Sequence, residues 1–195
     1  MRIPQSIMEE FQKKIHSFPI VELSDIPRID LYMDQVTTFL NTALCAYQRT
    51  DQEKIFTKTM INNYIKAKIL PPPEKKKYSP THLMLLIMLI PLKSILSIKD
   101  IAVLFQPLFA SMDQTETQIQ VEQVYTGFLS LQKSTFATMY IAETTYLPET
   151  CNHSVSFGTF DEKIQHILIV LCFAIDAHIK KLLAEYLLDS CFSAK

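Results

Sequence analysis

The stretch TKTMINNYIKAKILPPPEKKKYSPTHLMLLIMLIPLKSILSIKDIAVL, residues 57–104, decides how this chain is organised. Thr57 can cap a short helix over about Lys58 to Ala67, in which Met60, Ile61, Tyr64 and Ile65 recur at helical spacing and form a buried face. That helix cannot continue through Pro71, Pro72 and Pro73, which lack amide hydrogens and fix φ. The segment from Ile69 to Tyr78 suits a small exposed hairpin instead, with the prolines fitting its turn, Lys75, Lys76 and Lys77 carried on it and Tyr78 closing it. Ser79 followed by Pro80 is a helix start, a capping side chain and then a residue whose missing amide costs nothing in the first turn. The helix from Pro80 to Ser94 is apolar almost all round, which predicts burial on most sides. Ser97-x-x-Asp100 has the spacing of a capping box and opens a helix to about Phe105.

Upstream, residues 1–28 read as an N-terminal arm. Ile7, Phe11 and Ile15 are spaced for a short helix that Pro19 ends. Asp30 can cap a helix from Leu31 to Tyr47, striped by Val36, Phe39, Leu40, Ala43 and Leu44. Downstream, Asp113 or Thr115 can start a long helix reaching about Ala142, with Gly127 as a point where it can break. Residues 143–158 read as a loop, and Thr159-x-x-Glu162 opens a last helix to about Leu188. The expected fold class is all-α: a winged helix-turn-helix over residues 29–106 with a small β-hairpin wing, followed by a helical C-terminal region over 107–195.

Composition narrows the chemistry. Of 195 residues, 48% are apolar and 20% charged, a globular balance. The two glycines, Gly127 and Gly158, cannot assemble a phosphate-cradling loop or a strained nucleophile turn. Cys45, Cys151, Cys172 and Cys191 form no C-x-x-C pair, and because three of them sit in or beside apolar helical patterns, buried thiols in a reducing compartment are the reading. The N-terminus has no hydrophobic signal core, and the longest apolar runs, Leu83 to Leu92 and Ile167 to Ile175, are about half a bilayer span. The expectation is a soluble, cytoplasmic protein with no membrane partner. Net charge is −1, but it is unevenly spread: Lys54 to Tyr78 holds seven lysines against one acid, Glu74, for +6, while the remainder holds 12 basic and 19 acidic residues, for −7. A basic segment within an acidic chain is a local electrostatic footprint.

These residues carry a resemblance. Thr57 to Leu104 resembles the winged-helix module of MerR-type transcription regulators. Asp30 to Leu104 is similar, more closely, to an uncharacterised bacterial domain family, mostly Gram-positive, related to that module. The motifs are Ile29-Asp30-Leu31-Tyr32-Met33-Asp34-Gln35-Val36, Met60-Ile61-Asn62-Asn63-Tyr64-Ile65-Lys66, Leu70-Pro71-Pro72, Lys75-Lys76-Lys77-Tyr78 and Leu96-Ser97-Ile98-Lys99-Asp100-Ile101. Where MerR-type regulators carry an arginine and two tyrosines before the wing, this chain has Asn62, Asn63 and Tyr64. Their wing arginine falls on Lys76 and their wing-closing tyrosine on Tyr78. Their glycines before Leu-Pro-Pro and before the last capped helix are replaced by Lys68 and Ile95. The resemblance implies DNA binding.

The expected interface with double-stranded DNA is Lys58, Thr59, Asn62, Asn63, Tyr64 and Lys66 on the short helix, with Lys75, Lys76, Lys77 and Tyr78 on the wing. Asparagine can bond adenine at two points and threonine can meet the thymine methyl; the wing ammonium groups would contact phosphates without reading sequence. Tyr64 and Tyr78 read as partly buried supports. The plainer reading is a solvated polar face and turn, or a helical interaction module whose basic wing binds an acidic protein partner. Catalysis is not expected. His16, His82, His153, His166 and His178 lack metal-ligand spacing, Cys151-Asn152-His153 lacks an oxyanion setting, and Glu9-Glu10 and Asp161-Glu162 are helix-start charges. No cofactor and no metal are expected. The last helix is too apolar for the surface of a monomer, so it forms either the core of a C-terminal bundle or part of a dimer interface, and a homodimer through residues 113–188 is the expectation carried forward. Phe128, Phe136, Phe157, Phe160 and Phe173 could line a pocket for a small-molecule effector, although plain packing explains them as well.

Overall fold

A computed structural model of the chain describes residues 9–11, 13–14, 18–48, 50, 52–109, 114–138 and 161–191, with side chains omitted at 114, 137–138, 184 and 187–191. The protein is mostly helical with one small sheet: β1 (Leu31–Tyr32), α1 (Met33–Ala43), α2 (Lys58–Lys66), β2 (Lys77–Tyr78), α3 (Pro80–Lys93), α4 (Ile98–Phe105), α5 (Gln114–Thr138) and α6 (Glu162–Cys191). Single 3₁₀ turns lie at Leu23–Asp25, Cys45–Tyr47 and Gln106–Phe109.

The capping signals act where they stand. Thr57 Oγ1 accepts the Met60 amide at 3.2 Å and starts α2. Ser97 Oγ accepts the Asp100 amide at 3.2 Å, while Asp100 Oδ2 takes the Ser97 amide at 3.3 Å. At the head of α3, His82 Nδ1 accepts the Ser79 amide at 3.1 Å, so imidazole fills the place that a glutamate takes in a capping box. α3 is buried on every side from Thr81 to Leu92 and packs against α1, α4, α5, α6 and β2, so it is the central strut. Phe11, Phe18, Val21 and Ile26 are buried in the same core, and Tyr125 of α5 donates its hydroxyl to the Val21 carbonyl at 2.7 Å.

Four expectations need correction. Leu31 and Tyr32 do not open a helix capped by Asp30. They pair antiparallel with β2 in the register Leu31↔Tyr78 and Tyr32↔Lys77. α1 therefore starts at Met33, with the Tyr32 amide bonded to Gln35 Oε1 at 2.8 Å, and it ends at Ala43 ahead of the 3₁₀ turn. The hairpin expected within 69–78 shrinks to one bridge, Glu74↔Lys77. Pro71 to Pro73 cannot donate ladder hydrogen bonds, so β2 finds its partner in β1 instead.

Gly127 does not break α5. A Cβ at this position would stand 2.5 Å from Leu168 Cδ2 and 2.8 Å from Leu168 Cδ1, so its absence is what lets α5 and α6 close on each other. Leu168 is itself fully buried and has little room to retreat. Gly127→Leu is therefore expected to cost about 2 kcal/mol through overpacking, measured by urea unfolding; an unchanged midpoint would refute this account of the close approach. Finally, Cys45 is exposed and Cys172 half-buried, so neither is a fully buried thiol; Cys45 sits on the 3₁₀ turn rather than inside the apolar stripe of α1.

Candidate nucleic-acid interface

α2 is seated by its inner face and by its neighbours. Ile61 and Tyr64 turn inward and are 0% and 5% exposed, and Met60 and Ile65 are half-buried behind them. Phe56, just before the cap, is locked by Asn41 of α1: Asn41 Nδ2 donates to the Phe56 carbonyl at 2.8 Å and Asn41 Oδ1 accepts the Phe56 amide at 3.2 Å. Lys93, at the end of α3, donates to the Ile55 carbonyl at 2.9 Å and lies 4.6 Å from the centre of the Phe56 ring. At the far end of α2 the Ile69 amide bonds the Tyr64 carbonyl at 2.9 Å and the Lys68 amide bonds the Ile65 carbonyl at 3.0 Å, a Schellman closure. It holds Lys68 at φ 59°.

With its inner face fixed, α2 presents Lys58, Thr59, Asn62, Asn63 and Lys66 to solvent. The lysine turn is equally well anchored. Lys75 and Lys76 take φ 48° and 65°, and the Lys77 amide bonds the Glu74 carbonyl at 2.8 Å, which makes a tight two-residue turn with both central residues left-handed. Tyr78, 3% exposed, stands edge-on to His82 with ring centres 5.4 Å apart. His82 Nδ1 is an acceptor for the Ser79 amide, so Nε2 carries the proton and donates to the Pro71 carbonyl at 3.1 Å. Burial holds the His82 pKa below its ordinary value, against the Pro71 bond and Asp30, which raise it.

Of the ten expected interface residues, Lys58, Thr59, Asn62, Asn63, Lys66, Lys75 and Lys76 are exposed and Lys77 is half-buried. Tyr64 and Tyr78 are buried and present no ring to solvent. Helix and turn meet across the start of α1. Lys58 pairs with Asp34, and Lys77 Nζ lies 5.3 Å from the centre of the exposed Tyr32 ring. Two residues of one segment, 32 and 34, thus touch both the N-terminal end of α2 and the lysine turn. Exposed acids Asp30, Asp34 and Glu74 interrupt the positive surface. Lys68 is a further exposed cation beside this set. Its sequence signal was its place at a glycine position of the motif.

Elsewhere the described residues offer less. No His, Cys, Asp and Glu group among them could hold a metal ion, and no helix is long and apolar enough to cross a membrane. His166 is exposed and His178 half-buried; His16, Cys151 and His153 lie outside the described residues. Phe128 and Phe136 are buried and Phe173 is 52% exposed, while Phe157 and Phe160 lie outside the described residues. Phe136 borders a cavity of about 10 Å³, room for about one water.

A mostly helical domain with a cationic turn pinned beside a short polar helix is the class that fold and surface define. Residues 21–128, more than half of the chain, match the profile of the family described as domain of unknown function (DUF1836), and the chain belongs to that family. No curated protein and no solved structure matches it. The resemblance to MerR-type regulators thus rests on the motifs alone.

Proposed function

We propose that this protein is a non-catalytic, DNA-binding transcription regulator built on a MerR-type winged helix-turn-helix. In this reading α1 and α2 are the helix-turn-helix, the lysine turn is the wing, and the C-terminal helices join two copies. The carrying observation is the common footing of α2 and the turn on residues 32–34, through the Lys58–Asp34 pair and the Lys77–Tyr32 contact. In this reading the shared footing would let the polar face of α2 and the cations of the turn approach one duplex together. α2 would enter the major groove with Asn62 and Asn63 toward base edges, and the turn would meet phosphates. A turn already fixed by its backbone loses little entropy on docking. Homodimerisation is supported by Ile169 and Phe173, four residues apart on α6 and 42% and 52% exposed. A molecular mass that stays monomeric across concentrations would remove that part of the proposal.

The test is fluorescence anisotropy with labelled duplexes over a salt series. Replacing Lys75, Lys76 and Lys77 by Ala should weaken all sequences alike, about tenfold, and flatten the log–log salt slope by about 0.9 per lost contact. Asn62→Ala or Asn63→Ala should instead relax preference at one or two base positions. Absence of binding by the wild-type chain to its own upstream region and to bulk duplex at low salt would end the DNA reading.

A further inference from the structure

Every described residue with φ in the left-handed region is a lysine: Lys68 at 59°, Lys75 at 48° and Lys76 at 65°. An L-residue with a Cβ is strained there, whereas glycine is not. All three positions are ones where glycine or asparagine is ordinarily favoured. Lys68 occupies the residue that closes a Schellman motif. Lys75 and Lys76 are the central pair of a turn for which Asn-Gly is the usual solution. The sequence does contain glycine, but it is spent at Gly127 and Gly158. Lysine at three such sites in succession therefore needs a reason outside the backbone.

Local electrostatics do not supply it. A cation near the end of α2 interacts favourably with the helix dipole, but that attraction is at most comparable with the strain, and it fades within one turn. Lys75 and Lys76 stand beyond the last turn of α2 and before the first of α3, so they gain nothing from either C-terminus. Among the described residues none of the three forms an ion pair. All three side chains are exposed, so apolar packing does not hold them either. Two of these strained sites lie at one end of the proline segment Pro71–Pro73 and the third at its other end, and they bracket the connection from α2 to β2. What they share is a positive charge held out on a rigid backbone.

We infer that Lys68 belongs with Lys75 and Lys76 to one phosphate-contacting set, in which the chain gives up folding stability to keep cations at left-handed positions facing duplex DNA. This rests on the DNA reading above and adds a residue and a design rule to it. The set predicts opposite movements of two observables. Changing each of these lysines to glycine should relieve strain and remove a phosphate contact together.

The experiment uses the full chain with Lys68→Gly, Lys75→Gly and Lys76→Gly, singly and combined, and Lys68→Asn as a variant that tolerates the left-handed region without charge. Unfolding in urea should show the folding equilibrium of the triple variant raised about tenfold. Anisotropy with a labelled duplex should show Lys68→Gly and Lys68→Asn each weakened about threefold, with the salt slope reduced by about 0.9 for each. Wild-type binding left unchanged in both Lys68 variants, while the Lys75 and Lys76 variants weaken, would overturn the place of Lys68 and spare the DNA reading. Binding that weakens without any gain in stability would overturn the strain. Failure of the wild type to bind duplex at low salt would sink the DNA reading itself and this inference with it.

Discussion

Acidification from pH 7 to pH 4 is expected to remove up to about 3 kcal/mol of folding stability through His178. Its tautomer follows from its neighbours. The Ser94 hydroxyl donates to the Pro91 carbonyl at 2.7 Å, so its oxygen is left to accept from His178 Nδ1 at 3.1 Å. Nε2 is then an unprotonated acceptor, buried and without a partner among the described residues. Burial, and after it Lys181 and Lys93, push the His178 pKa from 6.5 down to about 4. Because the folded value is depressed, the unfolded chain binds more protons between these two pH values, and stability rises with pH across that window. The contribution is complete above about pH 6.5 and is lost as pH falls toward 4; below 4 this group removes nothing more. His82 is depressed by burial too and acts in the same direction. Urea unfolding at successive pH values should show the loss, and His178→Phe should flatten it, with His82 among the groups that still contribute. A His178→Phe curve parallel to that of the wild type would show that His178 is not the group responsible.

Much of the helical framework was legible in the sequence, because capping is written in residues three apart. Thr57, Ser79-Pro80 and Ser97-x-x-Asp100 each start a helix where local spacing put one. The apolar run of α3 likewise declared its burial. The β1–β2 pairing was not legible, because two strands of two residues show no alternation and the partners are distant in sequence. Gly127 looks like a breaker in the sequence for the same reason: its meaning depends on Leu168, on another helix. The outward face of α2 could be read from amphipathicity, but not its footing on Asp34 or the contact between Lys77 and Tyr32. The left-handed turn was hidden because lysine is not a residue that announces positive φ. Only Lys68 left a trace, by standing where the motif carries glycine.

Truncating Phe56 to alanine is expected to cost about 4 kcal/mol. The ring is fully buried and stands edge-on to Tyr64 of α2, with centres 6.5 Å apart. It also receives the Lys93 ammonium, whose pKa burial pulls down, with Lys181 adding to that and Glu53 opposing it. Removing the ring would therefore open a cavity between α1, α2 and α3 and strip a half-buried cation of its aromatic face, worth about 0.5–2 kcal/mol by itself. Phe56→Leu retains apolar volume but not the aromatic ring, so its smaller loss reports the Lys93 contact and the Tyr64 pairing together. Asn41→Ala attacks the same junction from the backbone side, leaving the Phe56 amide and carbonyl without their side-chain partner, at about 1–3 kcal/mol. Because both changes act on one clamp, the double variant should lose less than the two single losses together. A Phe56→Ala loss under about 1 kcal/mol, or strict additivity with Asn41→Ala, would mean that α2 is held chiefly by Ile61 and Tyr64, and that the loop before it is a passenger.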